Sequence, residues 1–252
     1  MGASAACAVT DVGAGAPILL VHGQPGSRAD WAPLIPLLAR DHRVIAVDRP
    51  GYGDSRESAV GLVENAFLLG RLLDEMSATG ATVVGHSLGA GIALAMAERS
   101  LGAGALVLVG AAGVQGTVGA LDHVLALRGL GSFGVSGVQR MSRLLGRDPT
   151  SPVAAAIENW GPRAGASFAR EQRALLREHS VLESALGRIS VATTVVVGGK
   201  DRVVSPSAQR ALAGRIPGAQ LIELPDAGHL IPLRRAPELA AIIRAAIVGP
   251  VE

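Results

Sequence analysis

The sequence predicts an α/β fold, a mostly parallel sheet flanked by helices, and three observations predict it. Short apolar runs rich in Val and Ile alternate with longer stretches of helical periodicity, the rhythm of strands covered by helices. The strand runs are continuously apolar rather than alternating, which fits strands buried on both faces. Between about Val114 and Arg188 the rhythm stops, and amphipathic helical segments stand where strands are due.

Taken in order, the strand runs are "PILLVH" (17–22), "RVIAVD" (43–48), "TVVGH" (82–86), "ALVLVG" (105–110), "TTVVVGG" (193–199) and "AQLIEL" (219–224). Helices are expected near 31–40, 60–77, 88–99, 206–215 and 236–248. Asp30 and Ser205 are read as their N-caps where a cap is visible, and Pro206 suits a first helical turn. Within the interruption, Phe168, Gln172, Leu175, Leu176 and His179 fall on one face of "SFAREQRALLREH", with Arg and Glu on the other. Three segments follow: a core part over 1–113, an all-helical insert over 114–188 and a second core part over 189–252.

Composition excludes several classes. A length of 252 residues with 49% hydrophobic content supports one enzyme-sized unit. The net charge of +2 is too small for a nucleic-acid surface, and the longest apolar runs are too short to span a bilayer. Cys7 is the single cysteine, so no intrachain disulfide forms and a cysteine metal cluster is ruled out. "MGASAACAVTDVG" carries neither a basic segment nor a long apolar one, so no secretory leader is expected. The expected compartment is the cytoplasm.

The chemistry concentrates in "VVGHSLGAG" (83–91), which holds Gly85-x-Ser87-x-Gly89. In a chain with 33 glycines the pentapeptide alone decides little; its context decides more. A strand runs into Ser87 and a helix runs out, the setting of a nucleophile elbow. Side chains at Gly85 and Gly89 would collide where strand and helix pack. A serine hydroxyl is nearly inert near neutral pH and needs a base with an orienting group. "GGKDRVV" supplies Asp201 and "DAGHLIP" supplies His229, in the order Ser, Asp, His.

With "VHGQPGS" and "DRPGYGDS" added, these motifs resemble the alpha/beta-hydrolase superfamily, and specifically its smaller capped serine hydrolases. The resemblance covers almost the whole chain. It implies a sheet of about eight strands with the helical insert as a cap, and a site in which Ser87 is nucleophile, His229 base and Asp201 its partner. The backbone N–H groups of Gln24 and Leu88 are then the oxyanion donors. The family usually opens with a longer antiparallel pair of strands; only about sixteen residues precede "PILLVH", so the first edge strand is expected to be short or missing.

His22 and His86 are expected to hold loops by hydrogen bonding. The Gln24 side chain either contacts substrate or faces solvent. Phe133, Met141, Leu145, Trp160 and Phe168 either line an apolar pocket or pack the insert's own core, and Pro25, His86, Val203 and Leu230 are further candidates for the substrate wall. The expected ligand is an uncharged, apolar small molecule, with no cofactor and no metal.

The leading function is hydrolysis of a carboxylic ester through an acyl-enzyme. Three alternatives stay open: carbon–carbon hydrolysis of a diketone or ring-cleavage product, a cofactor-free perhydrolase or haloperoxidase, and a non-catalytic small-molecule receptor. Carbon–carbon hydrolases often carry asparagine before the nucleophile, where His86 stands here, and this favours esters.

Overall fold

The structure, a computed structural model, describes residues 6–114, 116–118, 120–127, 129–144 and 151–248. Seven strands form one sheet: β1 (Ala8–Val12), β2 (Pro17–Val21), β3 (Arg43–Asp48), β4 (Ala81–His86), β5 (Ala103–Val109), β6 (Ala192–Gly198) and β7 (Gln220–Leu224). Their order is β1-β3-β2-β4-β5-β6-β7. Only β1 is antiparallel, pairing with β3 from Ala8 opposite Asp48 to Val12 opposite Val44. The described sheet thus has seven strands rather than about eight, and its edge strand is present at five residues.

The apolar runs are buried on both sides, as their lack of alternation predicts. Leu19, Val21, Ile45, Val47, Val83 and Leu108 face one core, while Ile18, Leu20, Val44, Ala46, Val84 and Val107 face the other. The first core is covered by α2 (Leu62–Glu75) and α3 (Leu88–Glu98), and the second by α1 (Ile35–Leu38) and α10 (Ala236–Val248). Each fully buried aliphatic side chain contributes roughly 1.5–3 kcal/mol.

One expected helix is broken. Residues 31–40 form a 3-10 turn over Arg28–Trp31 and then the four-residue α1. Pro33 and Pro36 lack the N–H groups that a continuous helix would use. Ser27 caps the turn, accepting from Ala29 N at 3.2 Å. Asp30 therefore lies inside the turn rather than capping a helix, and its side chain is free for other work.

Between β5 and β6 lie α4 (Ala120–Ala126), α5 (Leu130–Leu144), α6 (Pro152–Glu158) and α7 (Ala164–Ala185), followed by α8 (Pro206–Ala213) after β6 and α9 (Ile231–Arg234) after β7. Helix α7 is tied along its length to the loop after β3 and to the first turn of α2. Ser167 Oγ donates to Gly51 O at 2.7 Å, Arg170 Nη1 to Ala59 O at 3.2 Å, and Glu178 Oε2 accepts from Val63 N at 3.1 Å. Among the described residues no helix is long and apolar enough to cross a membrane.

The chain winds from β2 outward to β3, then returns to place β4 on the other side of β2. The order reverses between β2 and β4. In parallel sheets a crevice opens at the carboxyl ends of strands that part in this way, and Gly23 and Ser87 follow those two ends directly.

Candidate active site

Ser87 links β4 to α3 with φ 52° and ψ −120°, a strained left-handed conformation for a residue with a side chain. Its N–H donates to Val109 O at 2.9 Å, and its carbonyl accepts from Ala90 N and Ala112 N at 3.0 and 3.1 Å. These bonds fix the elbow against the end of β5. A Cβ on Gly85 would fall on the Gly89 carbonyl, and one on Gly89 would fall on the Val21 carbonyl. Both glycines let α3 press onto the sheet, and the serine is extruded at the strand ends.

Asp201 follows β6 and His229 follows β7. His229 Nδ1 donates to Asp201 Oδ2 at 2.8 Å. Oδ2 also accepts from Gln209 Nε2 at 3.1 Å, while Oδ1 accepts from Val203 N and Val204 N at 2.8 and 2.9 Å. Burial works to raise the Asp201 carboxyl, but the hydrogen bond and charge of His229 with the two amides outweigh it and hold it below its ordinary value. Gly110, at φ 56°, backs the imidazole: a Cβ there would lie 3.2 Å from His229 Nδ1.

Two further histidines, His86 and His22, hold loops near the site. His86 Nε2 donates to the His229 carbonyl at 3.0 Å, and burial followed by the neighbouring His229 lowers His86 to about 3, so it stays neutral. His22 Nε2 accepts from Arg49 N at 3.0 Å, which leaves the proton on Nδ1 to donate to Gly23 O at 2.8 Å. Burial, with Arg49 adding to it, keeps His22 well below its usual value.

The Gly23 carbonyl also accepts from Arg49 Nη2 at 2.7 Å, and Arg49 Nε donates to His22 O at 3.1 Å. A trans peptide points its N–H opposite its C=O, so pinning the Gly23 carbonyl aims the Gln24 N–H the other way. Gly23 itself lies against the serine: a Cβ on it would stand 2.9 Å from Ser87 Cβ. Leu88 is the first residue of α3, where N–H groups have no intrahelical acceptor. Arg49 is in turn paired with Glu171 of α7, and Tyr52 Oη donates to Glu171 Oε2 at 2.7 Å; all three side chains are fully buried.

Ser87 and His229 share the wall of a cavity of ≈ 280 Å³. Of the residues expected there, Gln24, Pro25, His86, Trp160, Val203 and Leu230 also line it. Met141 and Phe168 do not, which corrects that expectation. Met141 is 53% exposed on α5, and Phe168 packs with Tyr52, Val135 and Ala164 where α5 and α7 meet the β3 loop. Phe133, at 78% exposure, faces solvent. Leu145 lies outside the described residues. The Gln24 side chain is half-buried and tethered at one end: its Nε2 donates to Gln172 Oε1 at 2.6 Å, while the residue itself lines the cavity.

The sequence reading missed Asp30, Arg49 and Glu171, and missed that α6 lines the cavity through Val153, Ala156 and Ile157. The "DRPG" motif was the available signal for Arg49; Glu171 gave none, because a lone Glu among Arg residues reads as a solvated face.

Asp30 is a carboxyl in the cavity wall, 7% exposed. Burial pushes it up to about 7, with the Ser27 amide opposing, Asp48 adding and Arg49 opposing. The native state therefore holds the proton more tightly than the unfolded chain. Its contribution is complete below the ordinary value of 3.8 and is lost as pH rises to about 7. Each tenfold gain in proton affinity on folding corresponds to about 1.4 kcal/mol. Urea midpoints of the parent are expected to fall relative to those of Asp30→Asn across this window. His22, present in both proteins, cancels in the difference. Parallel pH profiles would show that Asp30 does not titrate there.

A serine on a strained elbow at the switch point of a parallel sheet, with a His–Asp pair on the same cavity, is the arrangement of the α/β-hydrolase class. Residues 18–242 match the Alpha/beta hydrolase family, and the chain belongs to it. Among curated proteins it is 29% identical over 248 residues, 92% of this chain and 87% of the relative, to a 2-hydroxymuconate semialdehyde hydrolase from Pseudomonas sp. (strain CF600). It is also 29% identical over 238 residues to the dihydrolipoyllysine-residue acetyltransferase component of the acetoin cleaving system of Pseudomonas putida; the match takes in 89% of this chain but only 61% of that longer protein. In structure it is similar to a thermophilic esterase from Thermogutta terrifontis, with a TM-score of 0.79, 24% identity and coverage of 94% of this chain and 91% of the esterase.

Proposed function

We propose that the protein hydrolyses a carboxylic ester through an acyl-enzyme. Ser87 attacks the carbonyl, and His229 takes its proton and returns it to the leaving alcohol. Asp201 keeps the imidazole proton on Nδ1, and the N–H groups of Gln24 and Leu88 receive the oxyanion. Water then repeats the sequence on the acyl-enzyme. The helices of residues 114–188 serve as the cap, with α6 and Trp160 after it as its contribution to the substrate wall. The observation that carries this reading is the strained Ser87 elbow opening into the same cavity as His229, whose Nδ1 is engaged by Asp201.

Carbon–carbon hydrolysis is the second reading, favoured by the similarity to the semialdehyde hydrolase over nearly the full chain. Initial rates on p-nitrophenyl esters from acetate to decanoate, beside the Ser87→Ala protein, separate the two. Turnover is expected to show a length optimum set by the ≈ 280 Å³ cavity and to fall by at least about 10³-fold in Ser87→Ala. Absence of serine-dependent ester turnover, with absorbance loss from a dienol-ketone instead, would transfer the site to carbon–carbon cleavage.

A further inference from the structure

Two residues that line the Ser87 cavity each carry a buried hydrogen-bond acceptor with no partner in the protein. Asp30 Oδ1 and Gln24 Oε1 are both buried and unpaired. Buried polar atoms are nearly always satisfied, and an exception that lines a cavity calls for a group from the occupant.

The orientation of Gln24 is fixed by its neighbours. Gln172 Nε2 donates to Asp122 Oδ1 at 2.7 Å, so Gln172 must present its oxygen to Gln24. The Gln24 NH₂ therefore faces Gln172, and its carbonyl oxygen is the end left over. Asp30 is held in place by the Ser27-capped turn, whose N–H of Asp30 donates to Ser27 O at 3.0 Å. Its immediate surroundings are the Ser27 amide, which hydrogen-bonds the carboxyl, His22 Nδ1, which lies across Gly26 from Oδ2, and the charges of Asp48 and Arg49. Asp48 already accepts from Arg28, and Arg49 pairs with Glu171. Neither basic side chain is left to satisfy Asp30.

The remainder of the cavity wall is largely apolar, with Val153, Ala156, Ile157, Leu230 and Leu233. Two acceptors in such a wall match a neutral donor better than a cation, because an ammonium ion would bring a desolvation cost with only one partly ionised carboxyl to offset it. A hydroxyl donates to either oxygen, and it also accepts from Asp30 when the carboxyl carries its proton.

We propose that Asp30 and Gln24 form a polar subsite that binds a hydroxyl group on the substrate, so that the protein selects hydroxyl-bearing acyl compounds over their unsubstituted analogues. This rests on the ester reading for its place in catalysis, but the subsite itself does not.

The test separates the two. Binding is measured by equilibrium titration in the Ser87→Ala protein, where turnover plays no part, with methyl 3-hydroxybutanoate, methyl 4-hydroxybutanoate, methyl butanoate and methyl 4-aminobutanoate. At least one hydroxy ester is expected to bind about tenfold or more tightly than methyl butanoate. That ratio should collapse towards one in Ser87→Ala/Asp30→Leu and be largely restored in Ser87→Ala/Asp30→Asn, which keeps an acceptor oxygen. A general loss of fold would weaken all four ligands together and leave the ratio intact. Equal binding of hydroxy and plain esters, a ratio unmoved by Asp30→Leu, or tightest binding of the amino ester would overturn the proposal. Hydroxyl selection without any serine-dependent ester turnover in the parent would keep the subsite and discard the ester reading.

Discussion

Asp201→Asn is expected to lower kcat by about 10⁴-fold while leaving the fold intact. The reason lies in the four donors around the carboxylate. Val203 N and Val204 N both point at Oδ1 from a backbone turn that cannot reorient, so an asparagine must set its oxygen there. Its NH₂ then faces His229 Nδ1 and Gln209 Nε2. The imidazole can meet a donor only by accepting on Nδ1, which moves its proton to Nε2, and an Nε2 that carries a proton cannot take one from Ser87. Steady-state rates on the best ester, with a urea unfolding curve for the same protein, check both halves. A fall of less than about tenfold would mean that His229 is not oriented by Asp201.

Glu171→Ala is expected to destabilise the protein by about 3–5 kcal/mol. Arg49 and Glu171 are fully buried, and Glu171 is the carboxylate that compensates the guanidinium. Burial disfavours the Arg49 charge, and Glu171 beside it outweighs the burial and keeps it protonated. Truncation would strand that charge and deprive Tyr52 Oη of its acceptor. Replacing both partners with apolar residues, Arg49→Met with Glu171→Leu, is expected to recover much of the loss in stability. It would not recover activity, because Arg49 also grips the carbonyls of His22 and Gly23 that aim the Gln24 N–H. Urea midpoints and kcat measured together would reveal this split. A Glu171→Ala protein as stable as the parent would remove the ion pair from the account of the fold.

The strands and the elbow were legible because each depends on local pattern. A fully buried strand needs a run of apolar residues, and a serine elbow needs glycines where backbones nearly touch. The pairing of Asp201 with His229 was legible from chain order and motif, although 28 positions separate them. Asp30 was misread because an Asp before an apolar stretch looks like a cap; only the prolines that follow, by breaking the helix, hint that there is none to cap. Glu171 was invisible for a different reason. Helical periodicity places it beside arginines, whereas α7 is covered on two sides, and its partner lies 122 residues away. Met141 and Phe168 show the limit of amphipathic reading: it separates apolar residues from polar ones, but not those facing a cavity from those facing another helix.

The anchoring of α7 bears on how such a protein can be recombined. Exchanging residues 114–188 for the equivalent stretch of a relative is an obvious route to a new specificity. Here that exchange would carry away Glu171 and leave behind its guanidinium partner, and it would also remove Gln172 from Gln24. The transplantable unit is consequently larger than the helices: it includes the loop from Arg49 to Tyr52 and the segment around Gln24, three stretches distant in sequence that must change hands together.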